Sequence, residues 1–225
     1  MKKHILMCWS GGKDCAMALR ELLADDAFEV VSLFTTLTED YGRISMHGVR
    51  EALLDEQARS IGLPLEKMMI PKDASNEVYE SRMWEMLERH RASGISGVAF
   101  GDLYLEGIRE YREKNMAQVN MEAVFPIWQR DARELAGQFI DDGFRAVITC
   151  VDTEAIDGGF TGREFDRRFL ADLPAGADPC GEKGEFHSFV YNGPIFDYPV
   201  PFTKGDIVLR DNRFAYCDLI PKTVQ

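Results

Sequence analysis

The chain has no C-x-x-C pair. Its five cysteines, Cys8, Cys15, Cys150, Cys180 and Cys217, are odd in number and scattered. That removes both a disulfide framework and the spacing of a structural zinc site. Also missing is any apolar run near the roughly 20 residues that cross a bilayer. The stretch that follows Met1-Lys2-Lys3-His4 is too short for a secretory signal. These absences predict a cytoplasmic protein with reduced thiols and no membrane partner. Basic residues are few: 26 Lys and Arg face 38 Asp and Glu, for a formal net charge of -12. A surface this acidic repels phosphate backbones at long range, which argues against nucleic acid as a partner. Internal repeats and low-complexity tracts are absent as well.

What is present is a soluble, core-forming composition, with 225 residues, 45% of them hydrophobic and 28% charged. Strand-like runs at Ile5–Trp9, Phe28–Leu33, Leu65–Ile70, Gly97–Phe100, Glu122–Phe125 and Arg145–Cys150 alternate with helical patterns. The helical stretches are Asp14–Ala24, Val49–Ile61, Glu77–Ala92, Gly107–Val119 and Ala132–Asp142. In the second, Val49, Leu53, Leu54, Ala58 and Ile61 keep an apolar stripe at helical spacing. This alternation predicts an α/β fold with a parallel sheet and helices on both faces. After about residue 152 the rhythm breaks at Asp157-Gly158-Gly159. One short helix, Arg163–Leu173, precedes a glycine- and proline-rich region with strands at His187–Tyr191, Ile207–Arg210 and Phe214–Ile220. The expected division is therefore an α/β domain over residues 1–153 and a smaller α+β substrate domain over 154–225.

Ligands of parallel α/β sheets sit beyond the carboxyl ends of the strands. Ser10-Gly11-Gly12-Lys13-Asp14 occupies that place after the first strand. Glycines allow backbone N–H groups to approach a ligand, and the helix N-terminus adds partial positive charge, so the loop suits phosphate. Lys13 supplies a mobile cation and Ser10 a hydroxyl. Asp14 fits only as a helix cap or as a holder of Mg²⁺. The loop is neither a Walker sequence nor a dinucleotide fingerprint, because its glycines are adjacent and no third follows. It resembles the SGGxDS pyrophosphate loop of the adenine nucleotide α-hydrolase superfamily, with Cys15 in place of the final serine.

Other candidates lie at the same edge. Gly101-Asp102 follows the fourth strand, where the aspartate could orient Mg²⁺ or ribose or cap the next helix. Thr35-Thr36, placed after the second strand, could meet adenine. His47, in Met46-His47-Gly48-Val49-Arg50, could contact phosphate or carry a proton. Arg109 and Arg112, three apart on one helical face, form either an anion site or a solvated face paired with glutamates. In the second region, Asp178-Pro179-Cys180-Gly181-Glu182-Lys183-Gly184-Glu185-Phe186-His187 packs carboxylates, a thiol and a histidine between glycines. That density fits a substrate loop.

Together the loop, MHGVRE, AFGDLYLEGIREYRE and PCGEKGEFHSFVYNGPIF are similar to the PP-loop ATP-binding family typified by diphthine–ammonia ligase, over almost the whole chain. The resemblance implies ATP and Mg²⁺ as cofactors, adenylation of a carboxylate with release of AMP and pyrophosphate, and transfer of ammonia to make an amide. The acceptor it implies is a modified histidine, diphthine, on translation elongation factor 2. Ser10, Gly11, Gly12, Lys13, Asp14 and Cys15 take the place of the pyrophosphate loop, with Thr36, His47 and Gly101 beside the nucleotide. Lys13, Asp14, Asp102, Glu182, Glu185 and His187 are implied to be catalytic, with Asp14 and Asp102 toward the metal. On this resemblance the chain is expected to lack the extra carboxyl-terminal domains of larger members and a glutaminase segment. The alternatives retained are an ATP or AMP sensor and an enzyme acting on a different acceptor. A homodimer is compatible with the chain.

Overall fold

The computed structural model describes residues 2–40, 42–44 and 48–222. Five parallel strands form the first sheet: β1 (Lys3–Cys8), β2 (Phe28–Thr38), β3 (Leu65–Ile70), β4 (Gly97–Ala99) and β5 (Glu122–Val124). Their order is β3-β2-β1-β4-β5, so the winding reverses between β1 and β4. The helices α1 (Lys13–Ala24), α2 (Glu51–Ile61), α3 (Asn76–Ala92) and α4 (Glu106–Gln118) connect them. Ile5, Leu6 and Met7 are buried on both sides of β1, as a central parallel strand requires. Leu6, Phe34, Val98 and Phe100 pack with Met86 and Leu87 of α3, Met116 of α4 and Val119 just after it. Ile5, Met7 and Leu33 face the other way, toward the apolar stripes of α1 and α2.

That second face is shared. The chain continues through α5 (Ala132–Asp141), β6 (Arg145–Asp152), a single 3₁₀ turn (Gly158–Phe160), α6 (Arg167–Asp172), β7 (Phe186–Asn192), β8 (Phe202–Arg210) and β9 (Phe214–Pro221). A four-stranded antiparallel sheet results, ordered β7-β6-β9-β8. Ala146, Val147, Phe189 and Val190 from it join α1 and α2 in one core.

The structure corrects four expectations. The strand at Arg145–Cys150 does not extend the parallel sheet; it pairs antiparallel with β7 and β9. It is buried on both faces, and a continuous apolar run looks alike in either kind of sheet. A cut at residue 153 would separate β6 from its partners, so we propose a division between β5 and α5. Thr36 lies inside β2 rather than after it, because β2 continues pairing with β3 as far as Thr38 and Ile70. Asp102 is not the cap of α4, whose first non-helical residue is Leu105. The short helix begins only at Arg167, where Asp166 accepts the Phe169 N–H at 2.7 Å and fixes its start. Among the described residues, no helix is long and apolar enough to cross a membrane.

Candidate active site

The glycine–lysine loop leaves β1 at the point where the winding reverses, which is where doubly wound sheets hold ligands. Its path is fixed from below. Gly11 has φ +77°, and a Cβ there would lie 2.8 Å from Gln57 Oε1, so only glycine is accommodated. The Gly11 carbonyl accepts from the Val190 N–H at 2.9 Å and from Gln57 Nε2 at 3.1 Å. Gln57 is fully buried. It also accepts from Trp9 Nε1 at 2.9 Å and donates to the Val190 carbonyl at 2.6 Å. One side chain on α2 thus ties β1, the loop and β7 together.

Gly12 then opens α1 with no side-chain cap. The Gly12 N–H donates to Ser10 Oγ at 3.3 Å and the Lys13 N–H to Ser188 Oγ at 3.2 Å. These hydroxyls hold the first amides of the helix at the floor of the cavity. Lys13 is not the mobile cation expected from sequence. Its side chain is 4% exposed, and its ammonium donates to Asp14 at 2.7 Å and to the Cys180 carbonyl. The rings of Phe165 and Phe186 lie 5.8 and 5.6 Å from it. Burial works against the Lys13 charge, but Asp14 and the other anionic neighbours outweigh it and raise its pKa. The result is a fixed positive charge built into the site.

Cys15, which stands where the loop pattern has serine, turns back onto Ser10. Its Sγ is 3.2 Å from Ser10 Oγ, and burial pushes its thiol up to about 12, leaving a neutral donor. Gly101 has a packing duty: a Cβ there would sit 2.9 Å from the Asp14 carbonyl carbon and the Cys15 nitrogen. The end of β4 therefore lies directly against the first turn of α1, bringing Asp102 beside the loop. Asp102 accepts from Arg112 Nε at 3.4 Å, and that guanidinium lies 4.7 Å from the Phe100 ring centre. Arg112 thus faces the site from α4, whereas Arg109 lies outside the cavity lining and pairs with Glu113 at 2.7 Å.

The loop before β7 closes the other side. The Glu182 carboxylate accepts the Leu103 N–H at 2.9 Å, and Asp178 accepts from the Tyr104 hydroxyl at 2.6 Å. Glu185 does not face the cavity. It is 6% exposed and accepts the backbone N–H groups of Asp178 at 3.0 Å and Lys183 at 3.1 Å, so it shapes the loop. The Cys180 thiol is buried and donates to the Ala132 carbonyl at 3.3 Å, and burial pushes it up to about 12, which disfavours the reactive thiolate.

A cavity of about 290 Å³ results. Ser10, Gly12, Lys13, Asp14 and Cys15 line it from the loop, Thr36 and Gly101 from the strand ends, and Asp102, Glu182 and His187 from around it. Gly11 and Glu185 lie outside the lining, and His47 lies outside the described residues. A larger cavity, about 550 Å³ and mainly apolar, adjoins it between α3 and α4 and shares Cys8, Thr36, Phe100 and Arg112 with it. The sequence reading missed Gln57 and Ser188. Gln57 had left a signal, since a glutamine four residues after Leu53 interrupts an apolar stripe; Ser188 had none.

Two groups at the site titrate unusually. Burial raises Glu182 to about 7, with Asp14 and Asp102 adding to the effect against the Leu103 N–H and Lys13. Burial, helped by the Lys13 charge, lowers His187 to about 4. The Glu182 shift favours the protonated native state, so its stabilising contribution is present below pH 4.5 and lost as pH rises through about 7. His187 does the opposite: its contribution is present above pH 6.5 and lost as pH falls toward 4. Glu182→Gln keeps the acceptor for Leu103 but removes the titration. It should raise the melting temperature relative to wild type above pH 7 and leave it unchanged below pH 4.5. Thermal melts across pH read this directly, and parallel profiles for the two proteins would refute it.

The diphthamide synthase N-terminal domain model matches residues 1–123, and the diphthamide synthase C-terminal domain model matches residues 131–218. Human diphthine–ammonia ligase is 21% identical over 89% of this chain and 83% of its own length. The mouse diphthine–ammonia ligase is 23% identical over the same shares. Among solved structures, a U34-tRNA thiolase from Methanococcus maripaludis superposes with a TM-score of 0.36 at 16% identity, over 61% of this chain and 56% of that one. With models for both halves matched in order, the chain belongs to the diphthamide synthase family.

Proposed function

We propose that this protein is an ATP-dependent ligase that adenylates a carboxylate and converts it to an amide with ammonia, its acceptor being diphthine on translation elongation factor 2. The observation that carries the reading is the convergence of three separate segments on one cavity at the reversal point of the sheet. These are the loop after β1, Gly101-Asp102 after β4 and the Glu182–His187 loop of the second sheet.

In this reading the β- and γ-phosphates lie over the first amides of α1, where backbone N–H groups and the fixed charge of Lys13 offset their repulsion for an anionic acceptor. The nucleoside extends past Thr36 toward the apolar cavity between α3 and α4. Asp14, Asp102 and Glu182 are oxygen donors at one cavity, the chemistry a hard cation takes. Among the described residues no group of three ligating side chains is clustered for a metal. Two carboxylates at one cavity, Asp14 and Asp102, match the one or two that nucleotide enzymes give Mg²⁺, with phosphate oxygens completing the set. Asp14 and Asp102 would hold it, and when bound it would neutralise phosphate charge.

An acceptor carboxylate oxygen attacks the α-phosphorus and pyrophosphate leaves, giving an acyl adenylate. Ammonia then attacks the acyl carbon, the bond to AMP breaks, and the nitrogen gives up a proton. Glu182, poised at about 7, is a better acceptor for that proton than His187 at about 4, because proton transfer is most efficient near the working pH. His187 stays neutral and positions substrate.

Incubation with labelled ATP, Mg²⁺ and ammonium, with and without a diphthine-bearing elongation factor, tests the reading. AMP and pyrophosphate should form only with the factor present. ATP binding with no AMP under that condition would overturn it and point to a nucleotide sensor.

A further inference from the structure

Among the described residues β8 is an edge strand, pairing with β9 on one side only. An exposed edge is usually shortened, charged or covered, because its free N–H and C=O groups invite another strand. β8 instead carries three consecutive exposed apolar residues, Ile207 at 57%, Val208 at 48% and Leu209 at 54%. Their placement is informative. Ile207 stands opposite Cys217 and Leu209 opposite Ala215, both of which are buried. Strand side chains alternate between faces, so Ile207 and Leu209 lie on the face that carries the core. The core surface runs on to β8 and stops there uncovered.

We infer that the open edge of β8 pairs antiparallel with β8 of a second copy, about a two-fold axis at Val208. Three features select that partner and that register. The Arg210 carbonyl accepts the Arg213 N–H at 3.0 Å, which turns the backbone groups of Arg210 toward β9. With a period of two, those of Val208 also face β9, while those of Ile207 and Leu209 face the open edge. An axis at Val208 sets Ile207 against Leu209 of the second copy, so the pairs that exchange hydrogen bonds are those with free groups. The same register brings Asp206, which lies in the irregularity of β8 between Lys204 and Ile207, toward Arg210 of the other copy on each side of the axis, an opposite-charge pair. An axis moved by one residue to Ile207 would instead oppose Lys204 to Arg210. The sequence Asp206-Ile207-Val208-Leu209-Arg210 is thus complementary to itself when reversed. The four side chains Ile207 and Leu209, two from each copy, then continue one apolar surface across the axis, and the two sheets become one. A two-fold, self-complementary contact of this kind closes and does not propagate into a fibre.

Sedimentation equilibrium of the full chain over a wide range of concentration should show a monomer–dimer equilibrium. Asp206→Arg and Arg210→Asp alone each oppose like charges twice and should weaken self-association about tenfold or more. The double reversal restores opposite pairs and should restore the dimer, an outcome that general surface disruption would not give. Val208→Cys places two thiols at the axis. A non-hydrogen-bonded antiparallel pair has Cα atoms about 4.5 Å apart, within disulfide reach, so mild oxidation should yield a covalent dimer. Ile207→Cys, off the axis, should yield none. A wild-type protein that stays monomeric, charge reversals without effect, or equal cross-linking at both positions would each overturn the proposal.

Discussion

Lys13→Met will lower AMP formation by about three orders of magnitude, the scale seen when one preorganised charge or donor is removed from a site where negative charge gathers. The reasoning starts from where Lys13 sits. A surface lysine beside phosphate could be replaced in part by solvent cations, but this ammonium is 4% exposed and held by Asp14 and the Cys180 carbonyl. Water cannot take its place. Methionine keeps the stem packed near Phe165 and Phe186, so the loss is one of charge rather than of volume. Stability should fall too, by about 3 kcal/mol, because removing one partner of a buried ion pair leaves the other uncompensated. Asp14 would then face Asp178 and Glu182 with nothing to balance it. Adding Asp14→Asn to Lys13→Met should recover much of the stability and none of the turnover. Urea unfolding and AMP release measure the two effects separately. A Lys13→Met protein that still makes AMP at the wild-type rate would show that the loop charge is not used.

Much of this site could be read before any coordinates, and for a local reason. A strand, a pair of glycines and a helix start are written in consecutive residues, so the loop at Ser10–Cys15 and Gly101-Asp102 announced both their geometry and their place at a carboxyl edge. What stayed hidden depends on contacts between distant segments. Whether Arg145–Cys150 joins a parallel or an antiparallel sheet is decided by its neighbours β7 and β9, not by its own apolar run. Glu185 looked like a substrate carboxylate because it sits in a dense loop, but two backbone N–H groups of that loop had a prior claim on it. Lys13 looked mobile because lysines usually are. The Cys180 carbonyl, arriving from the loop before β7, joins Asp14 in making it a fixed charge. The rule linking carboxyl ends of strands to ligands therefore located the cavity, while the division of labour inside it came from the fold.

Gln57→Leu should destabilise the fold by about 3 kcal/mol. Leucine has nearly the volume of glutamine, so the substitution isolates the hydrogen bonds from the packing. Three bonds are lost at once: from Trp9 Nε1 at 2.9 Å, to the Gly11 carbonyl at 3.1 Å and to the Val190 carbonyl at 2.6 Å. Trp9 is itself buried, so its indole N–H loses an acceptor where water does not enter. The Gly11 carbonyl keeps the Val190 N–H, which holds the loop in place but less firmly. Because Gln57 touches neither α1's first amides nor Lys13, its effect on nucleotide binding must come through the position of Gly11. Nucleotide affinity should therefore weaken while AMP formation at saturating ATP falls much less, the reverse of the Lys13→Met pattern. Denaturant melts and ATP titrations of the variant provide both readings. If Gln57→Leu unfolds at the wild-type midpoint, the buried glutamine is not what holds β1, the loop and β7 in register.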